Sequence, residues 1–353
     1  MTQAGRALIT GASGFIGSAI VRAFLNGGIT VRAFVRPSSP RTNLLGLPIE
    51  IAEGDIMDRA SIASALEGVR YLIHAAADYR LWTRHPSRLV TVNVEGTGNV
   101  MEEALKSGVE KIVYTSSVCT LAKGPGLAAA DETHSLPAEQ AFNPYKRSKV
   151  AAEEIVCRLA ATAGLNAVIV NPSAPIGPRD IKPTPTGRVV LECAAGRMPA
   201  YLDTGLNVVH VDDVAQGHLA ALELGLAGQR YILGGENVPV LDFLREVARQ
   251  AGCPPPRVKL TIPAVYPLAV ASEGLAWLTG KAPCVTRDSL RMSREYMFYD
   301  DTKARTALGY TSRPYEEGIA DAIAWFRSAG MLPRRSYPAP RWYKTLARWD
   351  ARR

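Results

Sequence analysis

Thr10-Gly11-Ala12-Ser13-Gly14-Phe15-Ile16-Gly17 follows the apolar run Arg6–Thr10 directly and opens a helical pattern. A strand that ends in a glycine turn and restarts as a helix presents free backbone amides, at the positive end of the helix dipole, to an anionic pyrophosphate. Gly11 and Gly14 let the backbone approach such a group, and Gly17 lets the helix lie close to the strand. The spacing is G-x-x-G-x-x-G rather than G-x-G-x-x-G. Glycine trios also occur in turns for steric reasons alone, so it is the strand-loop-helix setting that makes this one a dinucleotide site. Gly11, Ser13, Gly14, Phe15, Ile16 and Gly17 are therefore the first candidate cofactor contacts.

Outward from this loop, β-branched apolar runs alternate with longer helical patterns, as in right-handed βαβ units on a parallel sheet. Strands are expected at Arg6–Thr10, Thr30–Val35, Ile49–Ala52, Tyr71–His74, Lys111–Ser116 and Ala167–Asn171. Helices are expected to begin near Gly14, Arg59, Pro86 and Tyr145, the last capped by Asn143 with Pro144 in its first turn. Pro172, Pro175, Pro178, Pro183 and Pro185 then predict a long loop without regular structure. Helices near Val189–Ala195 and Leu241–Ala251, with a short piece at Arg230–Leu233, are assigned to a smaller lobe. The fold class is thus α/β: a Rossmann-type doubly wound parallel sheet with a smaller C-terminal α/β substrate lobe. The expected boundaries are 1–172 for the nucleotide domain, with a return near 205–220, then 173–330 for the lobe and 331–353 for a tail.

Bulk properties narrow the function. A chain of 353 residues, 47% hydrophobic and 21% charged, has the composition of an ordinary globular protein. Cys119, Cys157, Cys193, Cys253 and Cys284 are widely spaced without a C-x-x-C pair, which suggests reduced thiols in a cytoplasm. The N-terminus runs into the glycine loop with no room for a cleaved signal. The apolar stretch Ile262–Leu278 is broken by Pro263, Pro267 and Glu273, and is expected to be a buried or interfacial helix rather than a membrane span. Net charge is +8, but residues 331–353 carry seven Lys/Arg against one acid, so the body is nearly neutral. With no basic face or nucleic-acid motif, nucleic acid is not an expected partner. His74, His85, His134, His210 and His218 show no ligand spacing, so no metal is expected.

The end of the second strand bears on cofactor choice. NAD sites usually place a carboxylate there, whereas a 2′-phosphate calls for a cation. Here Arg36 follows the strand, Arg41 comes after it, and no acid precedes Glu50. NADP(H) is preferred over NAD(H), the alternative being that Arg36 is a solvated loop cation. Asp55-Ile56 and Ala75-Ala76-Ala77, after the third and fourth strands, would flank the remainder of the dinucleotide. His74 reads as a packed strand-end histidine.

Tyr145 and Lys149 are four apart on one helix and share a face. A free phenol, with pKa near 10, is a poor acid-base at neutral pH, and an adjacent ammonium would favour its phenolate. Thr115-Ser116-Ser117 closes the fifth strand, where a hydroxyl could hold a substrate oxygen. Ser117 is the choice, with Thr115 and Ser116 as alternatives.

Together these residues resemble the extended short-chain dehydrogenase/reductase superfamily over at least residues 6–235. The motifs are Thr10 to Gly17, Asp55-Ile56, His74 to Ala77, Asn93 to Thr97, Tyr114 to Ser117, Tyr145 to Lys149, and Asn171-Pro172 with Gly177-Pro178. The resemblance implies Ser117, Tyr145 and Lys149 as catalytic, Asn93 as support for the lysine's proton relay, and Pro172 and Ser173 beside the cofactor. Val211 to Ala215 also matches, with acids that fix the fold. Within the superfamily the chain is most similar to the dihydroflavonol-reductase-like group and to hopanoid-associated sugar epimerases. That similarity rests on Ala76 to Trp82, Asn171 to Arg188 and Tyr231 to Asn237. Asp78 and Tyr79 become candidate substrate contacts. Cys119 and Leu121 stand where sugar-nucleotide epimerases often carry a tyrosine, a departure that weighs against a UDP-sugar.

The leading expectation is an NADP-dependent oxidoreductase acting on a carbonyl or alcohol of a sugar-like or hopanoid side-chain small molecule. A sugar epimerase of hopanoid biosynthesis and a non-catalytic nucleotide-sensing protein are the alternatives. Lys182, Thr184, Thr186 and Arg188, in the Pro-rich segment, offer donors to substrate hydroxyl or phosphate groups; the competing reading is a rigid connector. In Arg341–Arg353, Trp342, Leu346 and Trp349 alternate with arginines. This suits peripheral contact with the inner face of the membrane, or packing on the second lobe. A homodimer is also compatible with this chain.

Overall fold

β1 (Arg6–Thr10) lies inside a seven-stranded sheet, paired on both sides, and four of its five residues are buried. The computed structural model describes residues 5–124, 127–280 and 282–333. After α1 (Phe15–Asn26) come β2 (Thr30–Val35), β3 (Glu50–Glu53), α2 (Arg59–Leu66), β4 (Tyr71–His74), α3 (Pro86–Lys106), β5 (Lys111–Thr115), α4 (Pro144–Ala163) and β6 (Ala167–Pro172). Beyond them are β7 (Ala174–Ile176), α5 (Pro185–Ala194), β8 (Ala200–Leu202), β9 (Gly205–His210), α6 (Val211–Leu224), β10 (Arg230–Leu233), β11 (Glu236–Pro239) and α7 (Val240–Ala251). The chain continues through β12 (Val258–Leu260), α8 (Ile262–Thr279), α9 (Arg287–Met292), α10 (Thr302–Leu308) and α11 (Tyr315–Ser328).

The large sheet runs β10-β6-β5-β4-β1-β2-β3, every pair parallel. Strand order reverses between β1 and β4, and open α/β sheets place their ligand crevice at such a switch point. One face is covered by α1, α6 and α10, whose Phe24, Val214, Leu222 and Leu308 pack on Ile9, Val31 and Val170. The other face carries α2, α3 and α4 over Leu8, Leu72, Ile112 and Ile169. Both faces are therefore dry, which is why the strands read as continuous apolar runs. α4 begins as its sequence predicts: the Asn143 side chain accepts from Lys146 N at 2.8 Å and Pro144 occupies the first turn.

Three expectations need correction. Arg230–Leu233 belongs to the main sheet, in register with Ile169–Pro172, rather than to the smaller lobe. The Pro-rich stretch is not wholly irregular: Pro175 sits in β7 and Pro185 starts α5, both places where a missing N–H is tolerated. Residues 262–279 form one continuous helix, α8, with Pro267 inside it and only Ala269 and Ala276 buried. The smaller lobe gathers α5, α7 and α11 around Val190, Phe243, Leu244, Ile323 and Phe326, beside the three-stranded sheet β11-β9-β7. Asp213 ties the α6 end to Arg313 through two short contacts of 2.9 and 2.7 Å, and Asp212 pairs with Arg179. The acids of Val211 to Ala215 thus hold segments together. The tail expectation falls on residues 334–353, outside the described residues.

Candidate active site

The glycine loop turns where β1 meets the end of β4. Gly11 has φ +69°, and a Cβ there would lie 2.8 Å from the Ala76 backbone. Ala75 and Ala76 therefore form the floor under the loop. Gly14 N bonds to Gly11 O at 2.9 Å, and α1 starts with no side-chain cap and no acid in its first turn. Its first amides, at Phe15 and Ile16, are thus free of a side-chain acceptor and have the polarity that an anion requires. At Gly17 a Cβ would stand 2.1 Å from Gly11 O, so α1 and the loop are in backbone contact. Asn43 braces the loop by donating to Ser13 O at 3.3 Å and to Arg179 O at 3.0 Å.

Arg36 is exposed after β2 and has no carboxylate partner among the described residues, whereas Arg41 is held by Glu53. Asp55 accepts from Met57 N at 3.0 Å, and Ile56 packs on Gly96 of α3. Across the crevice, Pro172 ends β6 and the Ser173 hydroxyl is buried without a hydrogen-bond partner. A cradle that only glycine fits, an uncapped helix start and an orphaned hydroxyl suit a pyrophosphate-linked dinucleotide. Gly11, Ser13 and Gly14 follow β1, Ala75, Ala76 and Ala77 follow β4, and Pro172 and Ser173 close β6, all at the carboxyl ends of the parallel sheet.

Beside it stand the residues singled out for chemistry. Lys149 Nζ donates to Thr115 O at 2.9 Å and lies 5.4 Å from the centre of the Tyr114 ring. Burial lowers its ammonium to about 8. The Tyr145 phenol is pushed up, first by burial and second by Cys119, while the nearby Ser117 hydroxyl opposes the rise. No hydrogen bond joins Lys149 Nζ to the Tyr145 phenol among the described residues; the ammonium donates to the Thr115 carbonyl, and both residues stand on α4. Ser117 Oγ also accepts from Cys119 N at 3.3 Å. Of the alternatives, Thr115 spends its hydroxyl on His218 Nε2 at 2.9 Å, and the Ser116 hydroxyl is buried without a partner.

Asn93, the residue expected to support the lysine's proton relay, stands on α3. Its amide joins Asp78 N and O at 2.7 and 2.9 Å and Ser148 Oγ at 2.9 Å, so it reaches α4 through Ser148 and does not touch Lys149. Ser148 in turn donates to Tyr145 O at 2.8 Å. Sequence reasoning missed Ser148, although its place in Tyr145-Lys146-Arg147-Ser148-Lys149, one turn from Tyr145, was a usable signal. His74 is buried between Thr10 and Thr97 hydroxyls at 2.8 and 3.1 Å. Burial holds its pKa near 3, so it packs as a neutral ring.

A profile of the NAD dependent epimerase/dehydratase family matches residues 7–234, which include the loop, Ser117, Tyr145 and Lys149. The chain belongs to that family. It is an extended short-chain dehydrogenase/reductase in architecture as well as in sequence. It is 42% identical over 92% of its length to 95% of a Synechocystis sp. protein carrying the name dihydroflavonol 4-reductase. It is 36% identical over 92% of its length to 99% of sterol demethylase protein B of Methylococcus capsulatus. Among solved structures, a nucleoside-diphosphate-sugar epimerase from Pseudomonas aeruginosa superposes with a TM-score of 0.77 at 26% identity, covering 93% of this chain and 99% of that one.

In this family member the proposed substrate residues fall into two groups. Tyr79 donates to Lys182 O at 3.0 Å, so the Ala76–Trp82 segment and the Pro-rich segment meet. Asp78 turns its carboxylate to Arg80, and Lys182 and Arg188 are exposed without an ion pair among the described residues. Thr184 is not a free donor: it caps α5, accepting from Gly187 N at 3.1 Å, and gives its hydroxyl to Asp180 at 2.9 Å. Thr186 and Arg188 lie on α5 rather than on a loop.

Asp180 is 2% exposed and one of its oxygens has no partner. Burial raises its carboxyl to about 6 against the bonds from Thr184. The folded chain thus holds this proton more tightly than the unfolded chain does, so stability is greatest below the unfolded value of about 4 and falls as pH rises through 6. The loss over that window is up to about 3 kcal/mol. Asp180→Asn is expected to flatten the pH 4 to 7 section of the melting-temperature profile. Superimposable profiles for the two proteins would contradict this.

Proposed function

We propose that the protein is an NADP(H)-dependent carbonyl reductase, running in either direction, on a hopanoid side-chain or sugar-like substrate. What supports this reading is the placement of Tyr145 and Lys149 on one helix, α4, with Lys149 Nζ donating to Thr115 O at the end of β5, the strand that Ser117 follows and that neighbours β4 beside the glycine loop. Bound there, the nicotinamide would supply a hydride to carbon. Ser117 would hold the substrate oxygen, and Tyr145 would give that oxygen its phenolic proton. Lys149, buried and lowered to about 8, would keep a positive charge within reach and lower the cost of the passing phenolate. Asn93 and Ser148 would fix the start of α4, and with it the phenol, against the Asp78 backbone.

The lipid side of this reading draws on the relative named for sterol demethylation and on the resemblance to hopanoid-associated proteins. The family description and the sugar-nucleotide epimerase neighbour favour a second reading, in which one sugar carbon is oxidised and reduced again with no net use of cofactor. Screening hopanoid side-chain aldehydes and sugar nucleotides for NADPH consumption tests the choice. Consumption with an aldehyde supports reduction, and none with any carbonyl of the set would remove it.

The NADP preference rests on Arg36, which has no carboxylate partner among the described residues. Arg36→Glu is expected to weaken NADPH binding by about tenfold or more while changing NADH little, because a phosphate contact is replaced by repulsion. Equal changes in both dissociation constants, measured by fluorescence titration, would return Arg36 to the role of a surface cation.

A further inference from the structure

α8 is apolar around its whole circumference, a pattern that in a globular protein belongs to a buried helix. Here it is largely exposed. Ala269 and Ala276, two turns apart, are its only buried residues, and Glu273, its single charge, faces the body and binds Arg287 N and Nε at 2.7 Å each. At 100° per residue, Tyr266, Val270 and Trp277 form one stripe, Leu268 and Leu275 a second on the opposite side, and Leu278 falls between them. Leu275, Trp277 and Leu278 are 61%, 60% and 85% exposed. An apolar arc of this extent marks an interaction surface.

Its surroundings identify the partner. Between α8, the Arg80–Thr83 segment and α9 lies a cleft of about 620 Å³, whose rim carries Arg80, Arg287, Arg291 and Arg294 against Glu273 and Asp288. Arg80 is paired with Asp78 and Arg287 with Glu273, which leaves Arg291 and Arg294 against Asp288, a cationic excess. Arg84 adds a guanidinium that donates to the carbonyl of Trp277 at the helix end. Among the described residues no helix is long and apolar enough to cross a membrane. We propose that α8 lies in the interface of an anionic phospholipid bilayer, its exposed arc among the upper acyl chains and the rim arginines on the phosphates. The cleft behind it reaches Pro144, the residue before Tyr145. The cleft thus borders the start of α4, the helix that carries Tyr145 and Lys149. Docking itself does not depend on the reductase reading, since it is measured without turnover.

The test uses the full chain with its tail intact. Wild type and a Leu275→Asp, Leu278→Asp double variant are sedimented with vesicles of phosphatidylcholine and phosphatidylglycerol at physiological salt. Both side chains face solvent, so no cavity is created, and matching circular-dichroism melts establish that the variant folds. Wild type is expected to pellet, and the variant to partition at least about tenfold more weakly. Equal pelleting of both, or pelleting of neither, overturns the proposal. So does a change from dimer to monomer in sedimentation velocity with vesicle binding unaltered, which would assign the face to a second copy of the chain.

Discussion

Tyr145→Phe is expected to lower turnover by about a thousandfold while leaving NADPH binding nearly unchanged. The substitution removes one oxygen and keeps the ring, so α4 retains its packing and Ser148 keeps its bond to the backbone carbonyl of residue 145. What disappears is the hydroxyl that burial has pushed up. If the phenol is the proton donor, no neighbouring group replaces it, because Lys149 is turned to Thr115 O and His74 is a neutral ring between two threonines. Steady-state rates alongside NADPH titration separate the two effects. Near-wild-type turnover in a folded, cofactor-binding variant would remove Tyr145 from the chemistry.

Gly17→Ala is expected to weaken NADPH binding by about a hundredfold and to cost about 1–3 kcal/mol of stability. The added methyl carbon would stand 2.1 Å from Gly11 O and 2.7 Å from Gly11 C. Both obstacles are backbone, so no rotamer change relieves the clash; α1 must move off the loop, and the amides at its start move with it. Gly98→Ala in α3 is the matched control, because a methyl carbon added there would meet nothing within 4 Å. It is expected to be neutral or to stabilise by about 0.5–1 kcal/mol, since alanine favours a helix interior. Calorimetric binding and chemical denaturation of the two variants check both halves, and similar behaviour would show that close packing at Gly17 is unimportant.

These effects trace to features readable in the sequence, and the misreadings have physical causes. The first six strands were legible because strands buried on both faces become unbroken β-branched runs, and the ends moved by only a residue at Ile49–Ala52, Lys111–Ser116 and Ala167–Asn171. Arg230–Leu233 was legible as a strand but not as the outer neighbour of β6, because its apolar pattern carries no address within a sheet. Thr184 looked like a donor for substrate until α5 was seen to begin beside it; a threonine before proline is also a helix cap. Asn93 sits on the expected helix, yet its amide is fixed by the backbone of Asp78, a partner set by tertiary structure alone. α8 was the hardest, since hydropathy predicts that a helix avoids water without saying whether protein or lipid covers it.

The measurement that bears most directly on the reductase reading uses NADPH carrying deuterium at the transferable C4 position. Purified full-length protein is incubated with the carbonyl compound that gives turnover, and product and cofactor are analysed by mass spectrometry. Reduction predicts one deuterium in the product for each NADP⁺ formed, with both signals abolished in Tyr145→Phe. Interconversion of stereoisomers with no net NADP⁺, and with the label retained on the cofactor, would contradict it and establish the epimerase instead.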